Sequence, residues 1–179
     1  MTPRNEHGFS LIETMFAMGI LATALLSLAA VFALGLNHLA GSTASLIARE
    51  KAREAVESVH TARDTRVITW AQIHNVDRGG VFLVGPQPLR TPGPDGLVNT
   101  ADDGELESAL DAGADNILGT ADDVRMPLAG YTRQIEIRDI VNSEGTVNAN
   151  LRELRVTIGY QVAGTRRTYV LTTYISSIS

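Results

Sequence analysis

Apolar residues run almost without a break from Phe9 to Leu36, and from Thr14 to Ala48 the chain holds no Asp, Glu, Lys or Arg. The run exceeds the roughly 20 apolar residues that span a bilayer as a helix. It contains no Pro, and it is too long, with no Ala-x-Ala cleavage site, for an ordinary secretory signal. From Asn37 the helical period continues in amphipathic form. Ala48, Ala52, Ala55, Val59 and Ala62 recur at three- and four-residue steps, while Arg49, Glu50, Lys51, Arg53, Glu54 and Glu57 occupy the remaining faces. Arg53 and Glu57 are spaced to pair at i,i+4. No Pro interrupts residues 9 to 63, so the pattern predicts one continuous helix on the order of 80 Å long.

After Thr65 the period changes. Val81–Val84 is a short apolar run before the break at Gly85-Pro86-Gln87-Pro88. Tyr131, Ile135 and Ile137 alternate with Thr132, Gln134 and Glu136. Leu154, Val156, Ile158, Tyr160 and Val162 alternate with Arg155, Thr157, Gly159 and Gln161. Ala163-Gly164-Thr165 reads as a turn, and Arg167–Ile175 as the last strand. The expected fold class is α+β, with a long N-terminal helix and a C-terminal antiparallel sheet packed on the helix's second half. The expected divisions are residues 1–8 as a leader, 9–36 as a membrane or filament-core helix, 37–65 as the amphipathic helix of a head, 66–130 as a connecting loop region, and 131–179 as the sheet.

The net charge of -5 is concentrated in one segment, since no Lys or Arg lies between Thr91 and Val124. No basic stripe with interleaved aromatics is present, which argues against nucleic acid as the main partner. The chain has no cysteine, so disulfides and thiolate metal sites are excluded. Within the acidic segment Asp95-Gly96-Leu97-Val98-Asn99-Thr100-Ala101-Asp102-Asp103 recurs as Asp115-Asn116-Ile117-Leu118-Gly119-Thr120-Ala121-Asp122-Asp123. Glu105, Glu107 and Asp111 lie between the copies, in what reads as a short helix. Charge of one sign at this density repels itself unless neutralised. Calcium takes six to eight oxygen ligands in flexible loops, which makes Asp95, Asp102, Asp103, Asp115, Asp122 and Asp123 candidate ligands in one shared or two separate sites. The spacing departs from the EF-hand, and solvated loops with Asx-turns at Asp95 and Asp115 are the other reading. His38, His60 and His74 lack metal-site spacing, and no Gly-x-Ser-x-Gly or phosphate loop appears, so no enzyme is expected.

The junction of the polar N-terminal segment and the apolar run reads Gly8-Phe9-Ser10-Leu11-Ile12-Glu13. It resembles the cleavage and methylation signal of type IV prepilins and type II secretion pseudopilins, and the plan of helix, loops and sheet matches that family along the whole chain. The closest resemblance is to minor pilins of the pilus-modification kind. The resemblance implies that a prepilin peptidase cuts between Gly8 and Phe9 and that the new Phe9 amine is methylated. It implies an inner-membrane helix with its N-terminus in the cytoplasm, and later a periplasmic or extracellular filament of pilin subunits. Arg49, Lys51 and Arg53 follow the span while only Arg4 precedes it, and the positive-inside rule alone would reverse that orientation.

Glu13 is the one carboxylate inside the apolar run. A charge in lipid costs several kcal/mol unless paired, and the Phe9 amine of a neighbouring subunit would pair it and set the stagger between subunits. Ser10-x-x-Glu13 also fits a capping box. The expected function is a structural filament subunit, either a minor pilin or a pseudopilin. The alternative is a monomeric, membrane-anchored, calcium-dependent binding or adhesion module.

Overall fold

The structure, a computed structural model, describes residues 10–115 and 117–178. The chain divides into two compact units, Met1–Gly41 and Ser42–Ser179, the second called the head below. A single helix, α1 (Leu11–Asp64), runs through both. From Leu11 at 79% to Leu36 at 67% it is largely apolar and exposed on every side, and it is long and apolar enough to cross a membrane. Its hydroxyls are turned back onto the helix. Thr14, Thr23 and Ser27 donate to the carbonyls of Leu11, Ile20 and Thr23 at 2.8 Å. These side chains therefore carry no unmet donor into an apolar surrounding.

In the head, Ala48, Ala52, Ala55, Val59 and Ala62 are buried, as their spacing predicts. They pack against Ile135, Ile137, Leu154, Val156, Ile158 and Tyr160. Small residues on the helix leave the space between helix and sheet to the longer side chains of the strands. The sheet has four antiparallel strands: β1 (Gln87–Pro88), β4 (Thr132–Val141), β5 (Val147–Val162) and β6 (Thr165–Ser176), in the order β1-β4-β5-β6. Ile135 pairs with Val156, and Val156 with Leu171, so the inward positions line up across the strands. Ala163 and Gly164 both have positive φ, at 48° and 78°. They form the two-residue turn that suits the twist of the β5–β6 hairpin.

β1 covers only the start of β4. Further along that edge the side chain of Asn75 takes its place. Asn75 Nδ2 donates to Ile135 O at 2.7 Å, and Asn75 Oδ1 accepts from Ile137 N at 2.9 Å. A buried amide thus satisfies backbone groups that an open edge would leave unpaired. The segment around it is pinned to β5. Trp70 Nε1 donates to Ala149 O at 2.7 Å, and Arg152 lies 4.2 Å from the centre of the Trp70 ring.

The connecting region departs from the sequence reading in two places. Val81–Val84 is not a strand; Phe82 is fully buried and forms one isolated bridge with Asn75. The short helix expected around Glu105, Glu107 and Asp111 is instead one arm of a second antiparallel sheet, where β2 (Ser108–Asp111) pairs with β3 (Val124–Pro127). The stretch Ser-Ala-Leu-Asp carries no strong strand signal, and pairing with a segment beyond the second acidic copy decides its conformation. The ion pair expected between Arg53 and Glu57 is replaced by Lys51 and Glu54, 2.6 Å apart at i,i+3.

α1 ends in a Schellman arrangement. Val67 N donates to Ala62 O at 2.9 Å and Arg66 N to Arg63 O at 3.1 Å. The left-handed position of this motif usually holds Gly, but here it holds Arg66 at φ 60°. That conformation costs a side-chain-bearing residue roughly 1–2 kcal/mol, partly offset by the larger unfolded-state entropy of Gly. Arg66→Gly is therefore expected to stabilise the head by roughly 0.5–1 kcal/mol. Thermal unfolding of a chain beginning at Ser42 checks this. A lower midpoint would mean that the arginine side chain holds the helix end together.

Candidate functional site

Three groups of residues stand out, beginning with the N-terminal motif. Gly8 and Phe9 lie outside the described residues. The helix starts at Leu11, with Ser10 O accepting from Thr14 N at 3.1 Å. Neither side-chain bond of the capping box is formed among the described residues. Glu13 sits in the first turn, beside the exposed Ile12, Met15 and Phe16. Its carboxylate has no partner among the described residues.

The two acidic copies fold alike. In the first, Leu97 N donates to Asp95 Oδ1 and Asn99 N to Asp103 Oδ2, both at 2.8 Å. In the second, Ile117 N donates to Asp115 Oδ1 at 2.8 Å and Gly119 N to Asp123 Oδ2 at 2.7 Å. The Thr100 hydroxyl bonds Asp102 at 2.8 Å, and the Thr120 hydroxyl bonds Asp122 at 2.7 Å. A glycine opens each loop for the same reason. A Cβ on Gly93 would lie 2.6 Å from Asp102 Oδ2, and one on Gly113 would lie 2.5 Å from Asp122 Oδ2. The residues at the loop crest, Asn99 and Gly119, both have positive φ. The six aspartates thus act first as acceptors for amides and hydroxyls of their own loops. Among the described residues no three acidic or histidine side chains stand together as a metal shell. Each loop nevertheless keeps one buried oxygen without a donor, Asn99 Oδ1 in the first and Asp123 Oδ1 in the second.

The third group was not legible in the sequence. Arg133, fully buried on β4, donates to Glu107 Oε1 at 3.1 Å and to Arg90 O at 3.0 Å. The other oxygen of Glu107 lies 2.5 Å from Lys51 Nζ on α1. Burial pulls the Lys51 ammonium down, but its hydrogen bonds to Glu107 and Glu54 and their charges outweigh this, so its pKa lies above the ordinary value. The trio ties α1, β4 and the residue preceding β2 together. Its one sequence signal is Arg133 itself, a charged residue at an inward position between Tyr131 and Ile135. A cleft of about 650 Å³ opens beside it, lined by Lys51, Glu105, Glu107 and Arg125 among others. Its charges are mixed and largely paired to one another. His74 Nε2 lies 3.6 Å from Asp139 Oδ1. Burial and the nearby Arg152 push its pKa below the ordinary value.

Residues 3–36 match the family model described as the prokaryotic N-terminal methylation motif. Comparison with curated proteins gives no match, and comparison with solved structures gives none. The matched stretch covers the Gly8-Phe9 junction, Glu13 and the apolar part of α1. A long N-terminal helix followed by an antiparallel sheet is the architecture of pilins. Residues 3–36 thus carry the N-terminal signature of type IV pilins and pseudopilins, ahead of a pilin-like arrangement of helix and sheet. The motif supports a pilin-like subunit, and it lies on an apolar helix long enough to cross a membrane.

Proposed function

We propose that this chain is a minor pilin or pseudopilin, a structural subunit of a type IV pilus or a type II secretion filament. Prepilin peptidase cuts it between Gly8 and Phe9, and Phe9 is then N-methylated. The subunit waits in the inner membrane with its N-terminus in the cytoplasm, then joins other pilin subunits in a periplasmic or extracellular filament. The observation that carries this reading is Glu13, a carboxylate without a partner among the described residues, on the apolar, exposed first part of α1, four residues after the Gly8-Phe9 junction of the matched motif. Such a charge is costly in lipid and is met by an amine from a neighbour.

Mass spectrometry of the mature N-terminus tests the processing step. The expected species begins at methylated Phe9. Gly8→Leu is expected to leave the precursor uncut, because a side chain there crowds the approach of the peptidase to the backbone. Mature protein from the native host that still carries residues 1–8 would refute the assignment.

Calcium in the acidic loops is a second reading, favoured by the donorless oxygens of Asn99 and Asp123. One free oxygen per loop falls short of the six to eight that calcium takes. Binding would therefore draw Asp95, Asp102 and Asp103, or Asp115, Asp122 and Asp123, away from some of their amide partners. An ion bound only to the folded state adds about 2.7 kcal/mol at 100 times its dissociation constant. The head would then melt several degrees higher in calcium than in chelator, with magnesium a poor substitute. Superimposable melting curves would leave the loops closed by hydrogen bonds alone.

A further inference from the structure

The two acidic copies are built alike and used differently. In the first, Leu97 and Val98 follow Asp95 and are fully buried in the core of the head. In the second, Ile117 and Leu118 hold the same two positions after Asp115, beyond the end of β2, and are 59% and 63% exposed. Because the carboxylate-to-amide bonds that close the loops correspond, loop conformation does not explain the contrast. What differs is the presence of an apolar socket. The first copy shows the motif used as a seated knob, and the second presents the same knob with nothing against it.

A socket without an occupant lies elsewhere on the head. A cavity of about 280 Å³ opens at the end of α1, lined by Arg63, Arg66, Ile68 and Trp70 among others. Arg63 is committed to Asp64 at 2.7 Å and to Ser176 O at 3.0 Å. The Arg66 guanidinium has no hydrogen bond or ion pair among the described residues, and Val67 beside it is 52% exposed. The cavity thus sets Ile68 and Trp70 among polar residues, with Asp64 neutralised by Arg63 and Arg66 left as an uncommitted cation at its rim. The hairpin tip offers the complement, an apolar pair flanked by Asp111, Asp115 and Asp122 in a stretch without basic residues.

We propose that Ile117 and Leu118 of one copy seat in the Arg66 cavity of a second copy, with the acidic flank of the hairpin facing Arg66. The two patches differ, so the contact is heterologous rather than the self-complementary seam of a symmetric dimer. This rests on the filament-subunit reading and adds a specific contact between heads to it. It also accounts for an arginine at a helix end where glycine is conformationally cheaper.

The chain has no cysteine, so engineered pairs read without background from its own thiols. Full-length Val67→Cys and Leu118→Cys chains, differently tagged, are co-expressed in the native host, and both filaments and washed membranes are oxidised. A disulfide forms only where the two Cα atoms come within about 7 Å. The expected result is a mixed covalent dimer at least fivefold above that from Thr172→Cys with Leu118→Cys, Thr172 lying on the outer face of β6. Adding Arg66→Glu to the Val67→Cys chain is expected to reduce the dimer several-fold. Control-level dimer in both samples overturns the contact, as does cross-linking of Leu118→Cys to a different protein alone. A strong dimer in membranes with no incorporation into filaments keeps the contact and instead fails the filament-subunit reading.

Discussion

Replacing Glu107 with alanine is expected to destabilise the head by about 3–5 kcal/mol, the range for removing one partner of a buried ion pair. The Arg133 side chain is fully buried, with Glu107 Oε1 at 3.1 Å its one charged partner among the described residues. Without Glu107 its charge stays inside the fold, facing only the Arg90 carbonyl. Lys51 would lose its closer carboxylate but is 23% exposed and still reaches Glu54. Glu54→Ala therefore serves as the control, and loss of that more exposed pair is expected to cost only about 0–1 kcal/mol. Urea unfolding of a chain beginning at Ser42 separates the two outcomes. Equal midpoints for Glu107→Ala and Glu54→Ala would show that the trio contributes no more than a surface pair. Replacing Arg133 and Glu107 together by methionine is expected to recover most of the loss, since two apolar groups leave no orphaned charge.

Glu13→Ala is expected to leave insertion and cleavage intact and to lower incorporation into filaments more than a hundredfold. Insertion becomes easier, because a carboxylate within the apolar span is costly in lipid unless paired. Assembly becomes harder, because the Phe9 amine of the neighbouring subunit keeps its charge in an apolar core without a partner. A loss of about 3–5 kcal/mol corresponds to a factor of a hundred or more at tenfold per 1.4 kcal/mol. The readout is the ratio of mature subunit in sheared filaments to that in membranes. Unchanged co-purification would reject the role of Glu13 in setting subunit register. Glu13→Gln, which keeps the shape and loses the charge, should behave like alanine if charge is the cause.

The parts of the fold that were legible share one property. The alanine face of α1 is periodic within a single helix, so Ala48, Ala52, Ala55, Val59 and Ala62 identify their own burial. Alternation in β4, β5 and β6 is likewise written along each strand, and it places all three, although β5 begins at Val147, seven residues before the alternation from Leu154, and β4 runs on to Val141. β2 falls where the sequence suggests a short helix around Glu105, Glu107 and Asp111, because its strand character comes from pairing with β3 across the intervening second acidic copy. The burial of Glu107 and Arg133 was not legible either. A charged residue in an acidic stretch reads as solvated until its partner is known, and that partner lies 26 residues away.

The acidic repeat divides the two levels most clearly. Its closure is local. Asp95 and Asp115 each accept an amide two residues on, and Asp103 and Asp123 each accept one four residues back, so the sequence by itself determines two loops of the same form. It likewise determines a membrane-length helix with one carboxylate near its start, because hydropathy and helical period depend only on neighbouring residues. Whether a loop's apolar pair is buried is not local. Leu97 and Val98 meet the core formed by α1 and the sheet, while Ile117 and Leu118 extend beyond it on the β2–β3 hairpin. That difference arises only when segments far apart in sequence are brought together, because burial is set by what lies opposite a side chain rather than by the residues beside it.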